Sequence, residues 1–567
     1  MKTIKFIIIS VLISAGLVSC DFLDKEPTYL TPETYYQNEA DATSALTGVY
    51  SNLQQQAFYG NEYLFLVGGD DLGHYGGAGR APYKAGLICN NANSSDIDVA
   101  GFWYDLYSGI NRANMFLEYI DGTPGMASTL KAQYKAEARF LRAFYYFNLV
   151  ECWGDVPFKT TSTATVNGLG LPRTDKETIY DFIIQEMDEC ATDLKSSAEL
   201  NYTTGRISKS AAWGILARVY LFRAGEHFRD NKAADDAKIK EYFGKASTYA
   251  QKVMGEGHGL TERYWRVFVD LSENKYNSTD KKESIWEVEF AGNRSTDVRA
   301  EGRIGNIIGI PAPDYSSNSN VTGKADPGYS YGFIYATPKL YELYEANGDT
   351  ARCNWNIAPF EYTKSDNGVI GRKFEYGKKD EIKYPCFTYG AGDVEKAAND
   401  KTNSNYNRAC AKYRREYEPD KKNKNDTQIN FPILRYADVL LMIAEAENEV
   451  GATPSDLAYR CLKEVRKRAG LETKEGMGKE EFRQAVKDER AMELCFEYTR
   501  RFDLIRWGEY VKNMNELAPR AQAGTNWTLG PSNVYTYFKI SSAYNYFPIP
   551  ASEMAVNKDI TKNNTGW

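Results

Sequence analysis

The run Phe140-Leu141-Arg142-Ala143-Phe144-Tyr145-Tyr146-Phe147-Asn148-Leu149-Val150 is apolar on nearly every side when wound as a helix. A helix with no polar face belongs inside other helices. The run therefore predicts a helical assembly, with a helix from about Thr129 to Glu151 at its centre that stops near Trp153-Gly154-Asp155-Val156-Pro157. Upstream, Trp103, Leu106, Tyr107, Ile110, Ala113, Asn114 and Leu117 recur at spacings of three and four, which is one face of a helix over Gly101 to Asp121.

Weaker helical patterns follow at about Asp175 to Leu194, Ser208 to Arg223 and Asp235 to Met254, with Ala211, Ala212 and Ala217 at positions for close helix contact. An irregular Thr/Gly-rich stretch, Thr160 to Gly170, precedes them. Helices return at Ala437 to Val450, where Val439, Ile443, Ala446 and Val450 form one stripe, then at Pro454 to Ala469 and Lys479 to Trp507. Antiparallel helices in succession suggest stacked pairs of the tetratricopeptide type, although no strict repeat aligns. The expected fold is mainly α: tetratricopeptide-like helix pairs with large inserted loops and a few short strands. Residues 255–431 differ in being rich in Gly, Pro, Asn, Ser and Tyr, with a strand-like alternation at Ser284-Ile285-Trp286-Glu287-Val288-Glu289-Phe290. So much loop in a compact protein is usually functional, and this segment is the expected ligand and partner surface. The tail from Tyr535 to Trp567 reads as extended and aromatic.

The first residues carry Lys2 and Lys5, an apolar run from Phe6 to Leu17, and then Leu17-Val18-Ser19-Cys20. This reads as a signal peptide, residues 1–19, too short to stay as a membrane span. Asp21-Phe22-Leu23-Asp24-Lys25-Glu26-Pro27 is polar and acidic, and residues 20–27 read as a tether. The remainder divides into an N-terminal helical half (28–254), the loop-rich segment (255–431) and a C-terminal helical half with its tail (432–567), the two halves packing as one domain. A formal net charge of −7 with both signs interspersed leaves no basic stripe, so nucleic acid is not an expected partner. Beyond Cys20, the cysteines 89, 152, 190, 353, 386, 410, 461 and 495 show no Cys-x-x-Cys pair, and their disulfide state is left open.

Enzyme-like constellations are few. His74, His227 and His258 lack a second His or a Cys at zinc spacing, so neither metal nor cofactor is expected. Gly76-Gly77-Ala78-Gly79-Arg80 neither follows a clear strand nor opens a helix, which argues against a phosphate cradle. Glu489 and Glu493 stand one helical turn apart, near the spacing of a retaining glycosidase pair. Yet they fall on the apolar stripe of Phe482, Ala485, Val486, Met492 and Phe496, and the same segment supplies Arg490, Arg500, Arg501 and Arg506 as bidentate cations. Structural ion pairs are therefore expected, with no catalytic residue. Aromatics make up 14% of the chain, and tyrosine outnumbers phenylalanine and tryptophan together. Rings in loops offer flat apolar faces to sugar C–H groups, which singles out Tyr75, Tyr83, Tyr315, Tyr329 and Tyr331 as candidate ligand contacts.

Several motifs in order resemble one family. They run from Leu141-Arg142-Ala143 and Trp153-Gly154-Asp155-Val156-Pro157 through Gly205-Arg206-Ile207-Ser208-Lys209 to Phe431-Pro432-Ile433-Leu434-Arg435-Tyr436-Ala437-Asp438. Val465-Arg466-Lys467-Arg468-Ala469-Gly470-Leu471, Glu489-Arg490, Arg500-Arg501-Phe502-Asp503-Leu504-Ile505-Arg506-Trp507-Gly508 and Phe547-Pro548-Ile549-Pro550 complete the set. Together they resemble the SusD/RagB family of Bacteroidetes outer-membrane nutrient-binding lipoproteins. Leu-x-small-Cys likewise resembles the bacterial lipobox, with Cys20 as the lipidated residue. The end, Asn563-Asn564-Thr565-Gly566-Trp567, departs from the family's usual close. The resemblance implies a non-catalytic lipoprotein, lipid-anchored at the outer membrane and facing the cell exterior, that delivers an oligosaccharide to a TonB-dependent SusC-like barrel. A peptide ligand and, from another class, a glycoside hydrolase using Glu489 and Glu493 are the alternatives.

Overall fold

A computed structural model describes residues 35–567 apart from 62, 64–66, 77–85, 164–169, 232–235, 291–301, 315–325, 365–369, 374–381, 384–407, 420–423 and 524–533. Cys20, the expected signal peptide and tether, Tyr83, Tyr315 and Cys386 lie outside the described residues.

Helices dominate. The first six are α1 (Glu39–Tyr50), α2 (Ile97–Tyr119), α3 (Ser128–Trp153), α4 (Lys176–Cys190), α5 (Lys209–Asn231) and α6 (Asp236–Met254). The middle of the chain adds α7 (Arg266–Ser272), α8 (Pro338–Asn347) and α9 (Thr350–Asn356). The last third holds α10 (Tyr436–Val450), α11 (Asp456–Arg468), α12 (Lys479–Leu494), α13 (Arg500–Arg506), α14 (Tyr510–Ala523) and α15 (Ala551–Val556). The strands are short: β1 (Gly73–Tyr75), β2 (Val156–Pro157), β3 (Arg173–Thr174), β4 (Ser284–Val288), β5 (Ile334–Ala336), β6 (Glu361–Lys364), β7 (Ile370–Lys373), β8 (Ile382–Lys383) and β9 (Phe431–Arg435). No described helix is long and apolar enough to cross a membrane.

Each helix packs on its sequence neighbour from α1 to α6, and α6 then packs on α10, which carries α11 and α12. α13 returns to α5 and closes the assembly. The caps explain where several helices begin. Asp96, Asp175 and Ser455 each turn a side-chain oxygen onto backbone N–H groups of the first turn of α2, α4 and α11. α3 is buried along nearly its whole second half, as its sequence predicts, and Phe140 and Phe144 set their rings edge-on to the buried Trp286 at 5.5 and 4.9 Å between centroids. Gly109 allows α2 to lie against α3: a Cβ there would stand 2.5 Å from the Tyr145 ring.

Three expectations need correction. The single helix expected over Lys479 to Trp507 is two, α12 and α13, broken at Cys495 to Thr499, where Phe496 and Tyr498 both take φ of +60°. Bulky residues hold that conformation only when their surroundings over-determine it. Here the buried Lys412 ammonium donates to the carbonyls of Glu493 (3.0 Å) and Cys495 (2.7 Å), and Arg435 donates to the Glu493 carbonyl at 2.7 Å. These cations satisfy the free carbonyls at the end of α12. The tail is not simply extended, since it contains α15 and two short 3₁₀ turns. The segment 255–431 is also more regular than its composition suggests, with three helices and two-stranded pairing of β4 on β9. That pairing ties it to the C-terminal helices.

Candidate functional site

Charged residues converge first inside the scaffold. Arg352 Nη1 lies 2.5 Å from Glu489 Oε1 and 2.8 Å from Glu493 Oε2. Arg466 reaches Glu489 at 3.0 Å, Arg435 reaches Glu493 at 2.5 Å and Glu283 at 3.0 Å, and Arg468 joins Glu493 to Glu283. Both candidate glycosidase carboxylates are fully buried. Burial alone would raise the Glu493 carboxyl, but Arg468, Arg435 and Arg352 outweigh it and hold it well below the usual carboxylate range. A retaining pair needs carboxylates that face an open cleft, whereas these two are buried and committed to arginines, so they stand as structural ion pairs.

The cations differ from those expected. Among the arginines of the same segment, Arg490 holds Asp438 and Asp503, each at 2.8 Å, Arg500 holds Asp71 at 2.8 Å, and Arg506 holds Asp503 at 2.8 Å and Glu445. Arg501 donates to the Tyr510 hydroxyl and the Tyr544 carbonyl. Glu489 and Glu493 take their cations from α9, β9 and α11 instead.

The histidines are structural. His258 lies buried between the Lys282 carbonyl at 2.8 Å and the Ser210 hydroxyl at 2.9 Å, and burial pulls its imidazole pKa down. No carboxylate orients it as a triad would require. Among the described residues no three His, Cys, Asp or Glu gather as a metal site. The described cysteines are buried free thiols.

The remaining clue is a row of rings. β1 pairs antiparallel with β5, Tyr75 opposite Ile334 and His74 opposite Tyr335. Leading into β5, Tyr329, Tyr331 and Phe333 fall at every second position of the chain. The Tyr329 and Tyr331 rings meet edge-on at 4.7 Å, and Tyr331 stacks on Phe333 at 4.8 Å and 16°. Phe333 continues to Tyr75 at 5.6 Å. Tyr331 is 38% exposed, in the company of Tyr104, Phe228 and Tyr276 as the exposed large aromatic side chains among the described residues.

The row is held from behind. The Tyr329 carbonyl accepts from Arg415 Nη1 at 2.7 Å and from Asn306 Nδ2 at 3.1 Å, and both donors are buried. Lys424 Nζ sits 5.2 Å from the Tyr329 ring centroid and 2.9 Å from Asp314 Oδ2. Burial, then the neighbouring Tyr331, raises the Tyr329 phenol, so the Tyr329 ring carries a neutral hydroxyl at neutral pH. The arrangement offers flat faces, hydroxyls and an adjacent ammonium–carboxylate pair, fixed before any ligand arrives.

Tyr75 is not a loop ring. It lies on β1 and is 2% exposed, because pairing with β5 turns it beneath Phe333. It supports the row rather than facing solvent. Phe333, Lys424 and Asp314 join the site without having been singled out from sequence. Phe333 was legible in the period-two row Tyr329, Tyr331, Phe333, Tyr335. Lys424 and Asp314 lie 110 positions apart and carried no signal. Gly76 shows the same crowding: a Cβ there would stand 2.6 Å from the Tyr335 ring.

Comparison with known proteins places this geometry among relatives. Residues 282–567 match the SusD family, and residues 21–221 match a family described as starch-binding and associating with the outer membrane. A SusD-like protein of Formosa agariphila is 28% identical, with 98% of this chain and 97% of that protein covered. The starch-binding protein SusD of Bacteroides thetaiotaomicron is 26% identical over 80% of this chain and 76% of its own. The crystal structure of a SusD homologue from Bacteroides thetaiotaomicron superposes with a TM-score of 0.81 at 25% identity, covering 96% of this chain and all of that one.

Proposed function

The chain belongs to the SusD family, and on that premise we propose that it is a non-catalytic binding protein of the cell surface that captures an oligosaccharide and passes it to a TonB-dependent, SusC-like transporter. The observation that carries this is the aromatic row in which Tyr331 is exposed between Tyr329 and Phe333, pinned from behind through the Tyr329 carbonyl by Arg415 and Asn306. A sugar presents C–H groups on one face and hydroxyls around its edge. A stacked ring covers the first, while phenol, ammonium and carboxylate groups bond the second. Because the row is held rigid by buried donors, binding orders few side chains, which preserves affinity.

The helical halves, residues 28–254 and 432–567, act in this reading as one scaffold that carries the 255–431 segment outward. Cys20 is the lipidation site that holds the protein at the outer membrane, and Tyr83 and Tyr315 remain further candidate ligand contacts. The relative named as starch-binding makes α-glucans the first ligands to try.

Isothermal titration of the purified chain against a panel of glycans, α-glucans included, tests the reading. Saturable binding to at least one glycan, weakened by Tyr331→Ala, is the expected result. Binding to peptides and to no glycan would replace it with peptide capture.

A further inference from the structure

Behind the site lies a chain of alternating charges. Arg218 meets Asp438 at 2.7 Å, Asp438 meets Arg490, Arg490 meets Asp503, Asp503 meets Arg506, and Arg506 meets Glu445. Three arginines and three carboxylates close this chain at zero net charge. Glu151, in the last turn of α3, is a fourth carboxyl at the same place, 6% exposed. Among the described residues it has no hydrogen bond and no cation within ion-pair distance. It also stands at the negative end of the α3 dipole, which disfavours a carboxylate there.

Glu151 lines a cavity of about 50 Å³ between α3, α5, β9 and the break after α12. Two other buried polar atoms in the lining have no partner, the Tyr498 hydroxyl and Arg218 Nε. The other titratable groups facing the cavity are Tyr59 and Tyr63, Arg490, Asp503 and Arg506, and Glu497. Glu497 is held by Lys412 at 2.6 Å and Arg435 at 2.7 Å, and the rest of the charges are committed within the chain above. Glu226, which also acts on Glu151, is neutralised by Lys176 at 3.0 Å. Among the described residues the two cations that act on Glu151, Arg218 and Arg506, are each paired with another carboxylate.

We propose that this cavity is an internal solvent site in which Glu151 stands as a neutral carboxylic acid, bridged by ordered water to the Tyr498 hydroxyl and Arg218 Nε. A cavity of this size accommodates about three waters, and a water needs two to four polar partners, which these groups supply. Burial raises the Glu151 carboxyl well above its ordinary value; Arg218 opposes this, and Asp503 and Glu226 add to it. Because the folded value is raised, the folded state binds a proton that the unfolded state releases. The resulting stability is present below the unfolded value near 4 and is lost as pH rises through the folded one.

Infrared spectroscopy and thermal unfolding test this on the whole chain. At about pH 8.5, Asp70 and Glu287, which titrate at about 7, have ionised, and a carboxylic-acid C=O band is expected to persist in the wild type and to vanish in Glu151→Gln. The Tm of Glu151→Gln is expected to equal that of the wild type near pH 4 and to exceed it by about 1–3 °C near pH 8. A crystal structure is expected to show water joining residues 151 and 498. Absence of the band from the wild type, a Glu151→Gln variant less stable at every pH, or a dry cavity would each overturn the proposal. The wild-type band decides the protonation state even if the variant fails to fold.

Discussion

Around Glu493 and around Tyr331 the same protein uses polar and aromatic side chains in opposite ways. At Glu493 charges are turned inward: carboxylates and guanidiniums from α9, α11, α12 and β9 neutralise one another with no exposed surface. At Tyr331 the charges, Arg415 above all, lie behind, and the ring faces outward. The difference teaches that charge density alone does not mark a functional site in this fold. The carboxylates with the most enzyme-like spacing are the least able to meet a substrate, and the reactive-looking groups serve as scaffold.

That contrast can be broken most sharply from the buried side. Arg435→Ala removes the partner of Glu493, Glu497 and Glu283 at once, and breaking a buried pair in this way costs about 3–5 kcal/mol. Urea denaturation should show that loss, while the folded fraction keeps its glycan affinity. A variant as stable as the wild type would mean that the pairs are not the scaffold. Acid should separate the regions next. Burial raises Asp438 and Glu445, but their arginine partners outweigh it and depress both to about 2. Their contribution is therefore complete above the unfolded values near 4 and disappears as pH falls through about 2. Unfolding monitored by circular dichroism should show stability falling over that window, with glycan affinity flat from about pH 5 to 8, where Asp438 and Glu445 stay ionised.

The outward side predicts smaller effects of the converse kind. Tyr331→Ala should weaken glycan binding by about 1–2 kcal/mol, roughly 5- to 30-fold by titration calorimetry, with the Tm nearly unchanged. Lys424→Ala removes an exposed pair with Asp314 and the cation over Tyr329, so its effect on affinity should stay below about 1 kcal/mol. Cys20→Ala should leave affinity as it is and abolish membrane attachment, read by fractionation; acylation that persists in this variant would remove Cys20 as the anchor.

Most of the helical scaffold was legible in the sequence because amphipathic periodicity is a local property. α3 announced itself through eleven nearly unbroken apolar positions, and the Asp96, Asp175 and Ser455 caps stand where the periodic runs begin. That Glu489 and Glu493 need arginines was also legible, from their place on an apolar stripe. Which arginines was not, because Arg352, Arg435, Arg466 and Arg468 reach them across the packing of separate elements. Among the candidate rings, Tyr329 and Tyr331 fall in one row, whereas Tyr75 is inside it, since β1 pairs with a strand more than 250 positions away.

The sequence by itself determined many of the helical segments of the scaffold and that buried charges would have to be compensated, and it singled out loop tyrosines as candidate ligand contacts. The tertiary structure alone decided which guanidinium meets which carboxylate, where α12 breaks, which ring of a pair faces water, and that Glu151 is left without a cation. The physical reason is range. Periodicity and capping act within one or two helical turns, whereas charge compensation and ring exposure depend on distances between elements that only the packed chain sets.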